Sequence, residues 1–170
     1  MPHLTVRMAA TGQDFDEVRV LCWDYRSYLV ERNSRDRAAI ETLYPKAGYA
    51  ALMDRLEDAH TAPQGVIIVA ELDNVIVGCG MSHEIGPGIS EIKRLFVHDR
   101  ARGHGAGRQI CQALIDHARS RGDRLLRLDT LTSLAAARAL YADLGFVERG
   151  PYSDMPEAAL GCVCFYELTL

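Results

Sequence analysis

Between Glu91 and Arg108 an apolar, strand-like run (Ile92-Lys93-Arg94-Leu95-Phe96-Val97) passes into a loop with glycine at 103, 105 and 107. A helical pattern follows at once, with Ile110, Cys111, Leu114 and Ala118 recurring on one face. A strand that feeds a helix through so tight a turn requires a helix layered on a sheet. The glycines let the backbone curl and approach a ligand closely, so that successive N–H groups converge on an anion. The start of the helix adds unsatisfied N–H groups and the positive end of its dipole, and Arg102 and Arg108 add charge. A pyrophosphate suits such a loop; on the glycines alone, so does a plain connection between strand and helix. No Gly-Lys-Ser/Thr follows, so the loop is not a phosphate-binding Walker loop. Its glycine spacing and mid-chain position also differ from the dinucleotide fingerprint.

The flanking chain narrows the architecture. Leu4–Met8 reads as a strand, and Asp14 is a candidate cap for a helix whose apolar stripe is Val18, Leu21, Cys22, Tyr25 and Leu29. A second helical region is interrupted at Pro45. Val66–Ala70 and Val75–Met81 form two strands around an Asp73-Asn74 turn, and Gly86-Pro87-Gly88 turns the chain into the strand before the loop. Gly122 ends the next helix. Leu125–Asp129 is a strand, Ser133–Leu144 a helix stopped by Gly145, and Phe146–Arg149 and Cys162–Leu168 are closing strands. Early hairpins followed by strand–helix–strand units predict an α/β fold, with a mixed, mostly antiparallel central sheet of about seven strands flanked by about four helices. At 170 residues, with 48% apolar and 25% charged residues, the chain suits one domain over residues 1–170. Cys162 and Cys164 alternate along the last strand, which predicts that both point to one buried face and bind no metal.

Several motifs in order carry a family resemblance. Arg102-Gly103-His104-Gly105-Ala106-Gly107 resembles the Arg/Gln-x-x-Gly-x-Gly/Ala pyrophosphate loop of the GCN5-related N-acetyltransferase (GNAT) superfamily. Ile92–Val97 looks like the strand that leads into it, and Leu126–Thr130 like the next strand. Ala137-Arg138-Ala139-Leu140-Tyr141-Ala142-Asp143-Leu144-Gly145-Phe146 is similar to the helix-to-strand signature with its Leu-Tyr and Gly-Phe. The ending from Pro151 resembles a branch of uncharacterised bacterial members. The match runs from about Glu71 to the C-terminus, and the first 60 residues follow it in outline.

The resemblance implies an acetyl-CoA-dependent N-acetyltransferase of GNAT-like fold, with acetyl-CoA as co-substrate. Its pyrophosphate would rest on the N–H groups of Arg102, Gly103, His104, Gly105, Ala106, Gly107 and Arg108. Its pantetheine arm would pair with the backbone around Leu95 and Val97, and the N–H of Leu95 or Phe96 would polarise the thioester carbonyl. Tyr141 matches the general acid beside the sulfur, although Leu134, Ala137, Tyr141 and Leu144 also share one helical face, where a Tyr can be core. Glu91 matches the carboxylate that deprotonates the amine; an edge-strand surface Glu is an equal reading, and His83 and Glu84 are weaker candidates. Asn usually stands seven residues before the tyrosine; here that position is Leu134, with Ser133 or Thr132 as substitutes. Asp24, Tyr25, Tyr28, Tyr152 and Asp154 are candidate acceptor contacts.

Presence of both Tyr141 and Glu91 favours an enzyme over an acyl-CoA sensor without turnover. The acceptor expected is a small-molecule or peptide amine, attacked directly in a ternary complex. A net charge of −4 argues against nucleic acid as partner. No run approaches the length of a membrane span, and neither a membrane partner nor a signal peptide is expected. Five cysteines without a disulfide pattern point to a reducing cytoplasm. Dimers are common among the proteins it resembles, so a homodimer is open.

Overall fold

The computed structural model describes residues 2–170. Strand β1 (Leu4–Met8) leads to the long helix α1 (Gly12–Arg32), followed by the short helices α2 (Arg37–Leu43), α3 (Lys46–Asp54) and α4 (Leu56–His60). A meander of β2 (Gly65–Leu72), β3 (Val75–Gly86) and β4 (Ile89–Val97) comes next. Then α5 (Ala106–Arg121), β5 (Leu125–Leu131), α6 (Ala135–Asp143), β6 (Val147–Arg149), α7 (Glu157–Leu160) and β7 (Val163–Thr169) complete the chain. The seven strands form one sheet in the order β1-β2-β3-β4-β5-β7-β6, antiparallel throughout except for the parallel β4–β5 pair.

Local chemistry explains the boundaries. Thr11, not Asp14, caps α1: Asp14 N–H donates to Thr11 Oγ1 at 3.1 Å, while the Asp14 carboxylate accepts from Thr11 N–H at 3.0 Å, a reciprocal capping box. The second helical region breaks into three pieces, since Pro45 ends one run and Arg55 adopts a non-helical backbone between two others. Asp73 and Asn74 both take positive φ, as a two-residue hairpin turn of this hand requires. Gly122 ends α5 at φ 81°.

The sheet is covered on both faces. On one, α5 buries Ile110, Cys111, Leu114, Ile115 and Ala118 against Val66, Ile68, Ile92, Leu126 and Leu128. On the other, α1, α3 and α4 pack Val18, Leu21, Tyr49, Met53 and Leu56 against Ile67, Val69 and Met81. Gly80 lies where α5 approaches most closely: a Cβ there would meet Ile110 Cγ2 at 2.7 Å. Cys162 and Cys164 are both buried, but on opposite faces. Cys162 joins Leu29 and Ile40, and Cys164 joins the α5 layer, because Cys162 precedes the first residue of β7 and falls outside its alternation.

Asp14 ties three elements together. Buried to 5% exposure, it also accepts from Ala10 N–H at 2.8 Å and from both terminal nitrogens of Arg7 at 2.9 and 2.8 Å. The Arg7 guanidinium and the Ala10 N–H hold its carboxyl well below the usual carboxylate range. A depressed pKa contributes stability above the unfolded value of about 4, and that contribution is lost as pH falls toward the folded value. Asp14→Ala should therefore cost about 2 kcal/mol near neutral pH, given a partner that is half-exposed, or roughly 4–8 °C in unfolding midpoint. Thermal melts of both proteins across acidic pH check this: the gap between them should close on acidification.

Candidate active site

Strands β4 and β5 pair over only four positions, Ile89↔Leu125 to Ile92↔Leu128. Beyond Ile92 they separate, while β4 continues to Val97 against β3. The separation coincides with a bulge. Cys79 and Met81 oppose Phe96 and Lys93, so that Gly80 stands across from both Arg94 and Leu95. Arg94 absorbs the extra residue at φ 51°, a conformation costly for a residue with a Cβ. The β5-facing edge of Leu95–Val97 is thereby left without a strand partner, an edge of the kind an extended ligand can complete.

Two connected hollows flank this edge. The first, a groove of about 570 Å³, is lined by Leu95, Phe96 and Val97, by Arg102, Gly103 and Gly107 of the loop, and by Ser133–Ala137 and Leu140. Gly103 and Gly105 hold φ of 81° and 78°, and a Cβ on either would meet nothing within 4 Å, so the loop turns through glycine to face open space. Gly105 caps α5, whose first turn leaves the N–H groups of Ala106, Gly107 and Arg108 without helical acceptors. Arg102 lies over the Tyr28 ring at 5.2 Å and pairs with Asp99 at 2.7 Å. Arg108 pairs with Asp143 at 2.9 Å on the outer surface, and His104 is exposed; neither lines the groove.

The second hollow, a cleft of about 300 Å³, opens between the diverging strands beneath α2 and α3. Tyr25, Tyr44, Tyr49, Leu43 and Leu52 form its apolar walls, and Lys93, Arg94, Asp129 and Tyr141 supply polar groups. Tyr25, Leu95, Leu134 and Ala137 border both hollows, so the two meet at the bulge. Tyr141 is 5% exposed, set edge-on to Phe146, and burial pushes its phenol up, so it stays protonated at neutral pH.

Lys93 Nζ bridges Glu91 Oε1 at 2.7 Å and Asp129 Oδ2 at 3.0 Å. Burial alone would lower its pKa; the two carboxylates outweigh that and raise it. Glu91 Oε1 also accepts from Tyr152 Oη at 2.8 Å, and His83 Nε2 lies 4.0 Å from Oε2. Tyr152 is held between Arg127 and Arg149, at 5.3 and 5.8 Å from its ring. Burial lowers the pKa of His83. Glu84 is engaged with Arg121 at 2.9 Å.

The residues expected from sequence thus divide. Tyr141 borders the cleft, and Leu95, Phe96, Val97, Arg102, Gly103 and Gly107 border the groove. Gly105 and Ala106 line neither hollow; Gly105 is the exposed cap of α5 and Ala106 is buried in its first turn. Glu91 lines neither hollow and sits behind Lys93. Among the acceptor candidates, Tyr25 lines both hollows and Tyr28 the groove, Tyr152 contacts Glu91, and Asp24 and Asp154 line neither. Ser133 lines the groove and donates to Asn33 Oδ1, joining the end of α1 to the start of α6. Sequence reasoning missed Lys93, Arg94, Asp129, Tyr44 and Tyr49. The available signal was polar: Lys93-Arg94 and Asp129 interrupt otherwise apolar strands beside the loop.

Comparison with known proteins bears on this geometry. Residues 24–146 match the acetyltransferase (GNAT) family. The chain is 34% identical over 156 residues to an uncharacterised N-acetyltransferase of Schizosaccharomyces pombe, covering 91% of this chain and 89% of that one. It is 36% identical over 107 residues to a protein named IAA acetyltransferase from Azospirillum brasilense, covering 61% and 70%. These relatives come from a yeast and a bacterium, so they mark the family and not a bacterial branch of it. The fold is shared with the PaiA N-acetyltransferase of Thermoplasma acidophilum, solved in complex with coenzyme A, at a TM-score of 0.69, 14% identity and 99% coverage of both chains.

The ion bridge yields a test. Lys93→Met leaves a buried Glu91 and a partly buried Asp129 without their shared cation. It should lower stability by about 3 kcal/mol near neutral pH. Like charge raises a carboxyl pKa in the folded mutant, so protonation relieves the defect as pH falls. Melts of the variant at about pH 7 and about pH 5 should show the deficit shrinking. An equal deficit at both would assign it to lost packing.

Proposed function

The chain belongs to the GNAT acetyltransferase family, and on that premise we propose that residues 1–170 act as one domain that moves the acetyl group of acetyl-CoA to a primary amine by direct attack in a ternary complex. Acetyl-CoA is the co-substrate and supplies an acetyl group activated as a thioester. The observation that carries the reading is the meeting of two hollows at an unpartnered strand edge. One is bordered by a glycine loop and a helix N-terminus, the other by a buried phenol and a carboxylate.

The groove suits the co-substrate. N–H groups at the start of α5, with Arg102, would hold its pyrophosphate, and the free edge at Leu95–Val97 would pair with its amide-bearing arm. Ser133 takes the place of the Asn absent at Leu134. At the junction, Tyr141 would give its proton to the departing sulfur. Asp129, which borders the cleft beside Lys93, would take the proton the amine sheds. Glu91 enters as the far member of this network, steadying Lys93 and acting on the amine through it. One proton leaves the amine and one reaches the sulfur, so the cycle balances as amide plus free thiol. None of the five buried cysteines borders either hollow, which favours direct transfer over an acyl-enzyme. Their free thiols suit a reducing cytoplasm, and no described helix is long and apolar enough to cross a membrane.

Acetyl-CoA at a hundred times its dissociation constant should raise folding stability by about 2.7 kcal/mol, read as a thermal shift that ATP and NAD do not produce. Gly105→Glu should abolish that shift without unfolding the chain, since it adds bulk and negative charge where an anion would rest. Tyr141→Phe should keep the shift and lower turnover at least about tenfold in a thiol-release assay. Unchanged turnover would remove Tyr141 from the proton path.

A further inference from the structure

Arg94 stands apart from the other charged groups of the cleft. Lys93 is matched by two carboxylates, yet among the described residues no carboxylate lies within 4.0 Å of the Arg94 guanidinium. Its contacts are the Met81 sulfur, 3.7 Å from Nη1, and the Tyr49 ring, 5.8 Å from Cζ. Its Nε is buried without any hydrogen-bond partner. A half-buried cation with one nitrogen unpaired and only a sulfur and an aromatic ring against the rest carries a desolvation cost that a matching anion would offset. The side chain borders the small cleft and not the cofactor groove, so that anion belongs to the acceptor side. The bulge supports the same view: the backbone holds Arg94 at φ 51°, a strained conformation tolerated at the one position that presents this guanidinium to the cleft.

We propose that the acceptor is a small amine bearing a carboxylate, an amino acid with an apolar side chain, and that Arg94 is the residue that recognises the carboxylate. The proposal rests on the acetyltransferase reading above. The charges match a zwitterion: Asp129 faces the nitrogen and Arg94 the carboxylate, with Lys93 already neutralised. The apolar walls Tyr25, Tyr44, Tyr49 and Leu52 suit a hydrophobic side chain, and about 300 Å³ accommodates one residue rather than a folded protein segment. A guanidinium pairs with a carboxylate through two parallel hydrogen bonds, which selects against neutral analogues of the same shape.

The test is a matched panel: phenylalanine, leucine and methionine, each against its own amide and its decarboxylated amine, with acetyl-CoA as donor. The amides have the less basic amines and therefore more of the reactive neutral form, so chemistry alone favours them. For the wild type, kcat/KM should be at least about tenfold higher for the acids. Arg94→Gln should reduce that preference to less than about twofold while keeping the thermal shift with acetyl-CoA, and Arg94→Lys should retain part of it. N-acetylphenylalanine, the expected product, should stabilise the wild type and not Arg94→Gln, a readout independent of turnover. Equal or better turnover of the amides or amines overturns the carboxylate assignment and leaves the transferase reading intact. Absence of turnover for every member, with acetyl-CoA bound, does the same. Failure of acetyl-CoA to bind removes the transferase reading and this inference together.

Discussion

Strands β4 and β5 share hydrogen bonds at four positions and then part, and most of what the molecule can do follows from that divergence. A parallel pair continued to Val97 would leave no free edge and no room between the strands. The bulge opposite Gly80 turns β4 away, and Gly80 itself is required because α5 packs directly against it. A glycine chosen for helix–sheet contact and an arginine forced to positive φ are thus two halves of one device. The groove, the cleft and their junction exist because the sheet is incomplete at this point.

Charge in the cleft is arranged around the same opening. Lys93, the first residue beyond the paired segment, reaches Asp129 on the far side of the gap and Glu91 on its own strand. In a low-dielectric setting such a bridge ties the two strands together, and the two carboxylates raise the pKa of the lysine despite its burial. The Glu91–Tyr152 bond, with Arg127 and Arg149 against the Tyr152 ring, extends this order toward the C-terminal segment. Tyr141 is the opposite case, a phenol kept neutral by burial among apolar and aromatic neighbours. A neutral phenol and a lysine–carboxylate bridge thus border one small space.

Much of the fold was legible in the chain because its signals are local. The hairpin at Asp73-Asn74, the helix stop at Gly122 and the glycine turn into α5 each follow from backbone conformations open to few residue types. The second helical region was harder to read. Its three pieces are set by Pro45 and by packing at Tyr49, Met53 and Leu56, and the latter depends on elements far along the chain. The helix cap moved from Asp14 to Thr11 because two polar residues three apart form a reciprocal pair, and a reading of either alone cannot tell which is first.

The sequence by itself determined the order of elements and the glycine loop, since these rest on short-range spacing and backbone preference; Tyr141 was a candidate acid through the family resemblance of its helix, while spacing alone placed it on an apolar face. Only the tertiary structure decided which side chains meet. Glu91 pairs with Lys93 outside the cleft, Asp129 borders the cleft beside Lys93, and Arg94 borders it without a counter-charge, because a bulge reorients the strand and a parallel neighbour 36 residues away completes the network. Periodicity assigns a residue to a face of its own strand. It cannot report where two strands diverge, and that divergence decides whether a charge is satisfied from within the chain or left for a ligand.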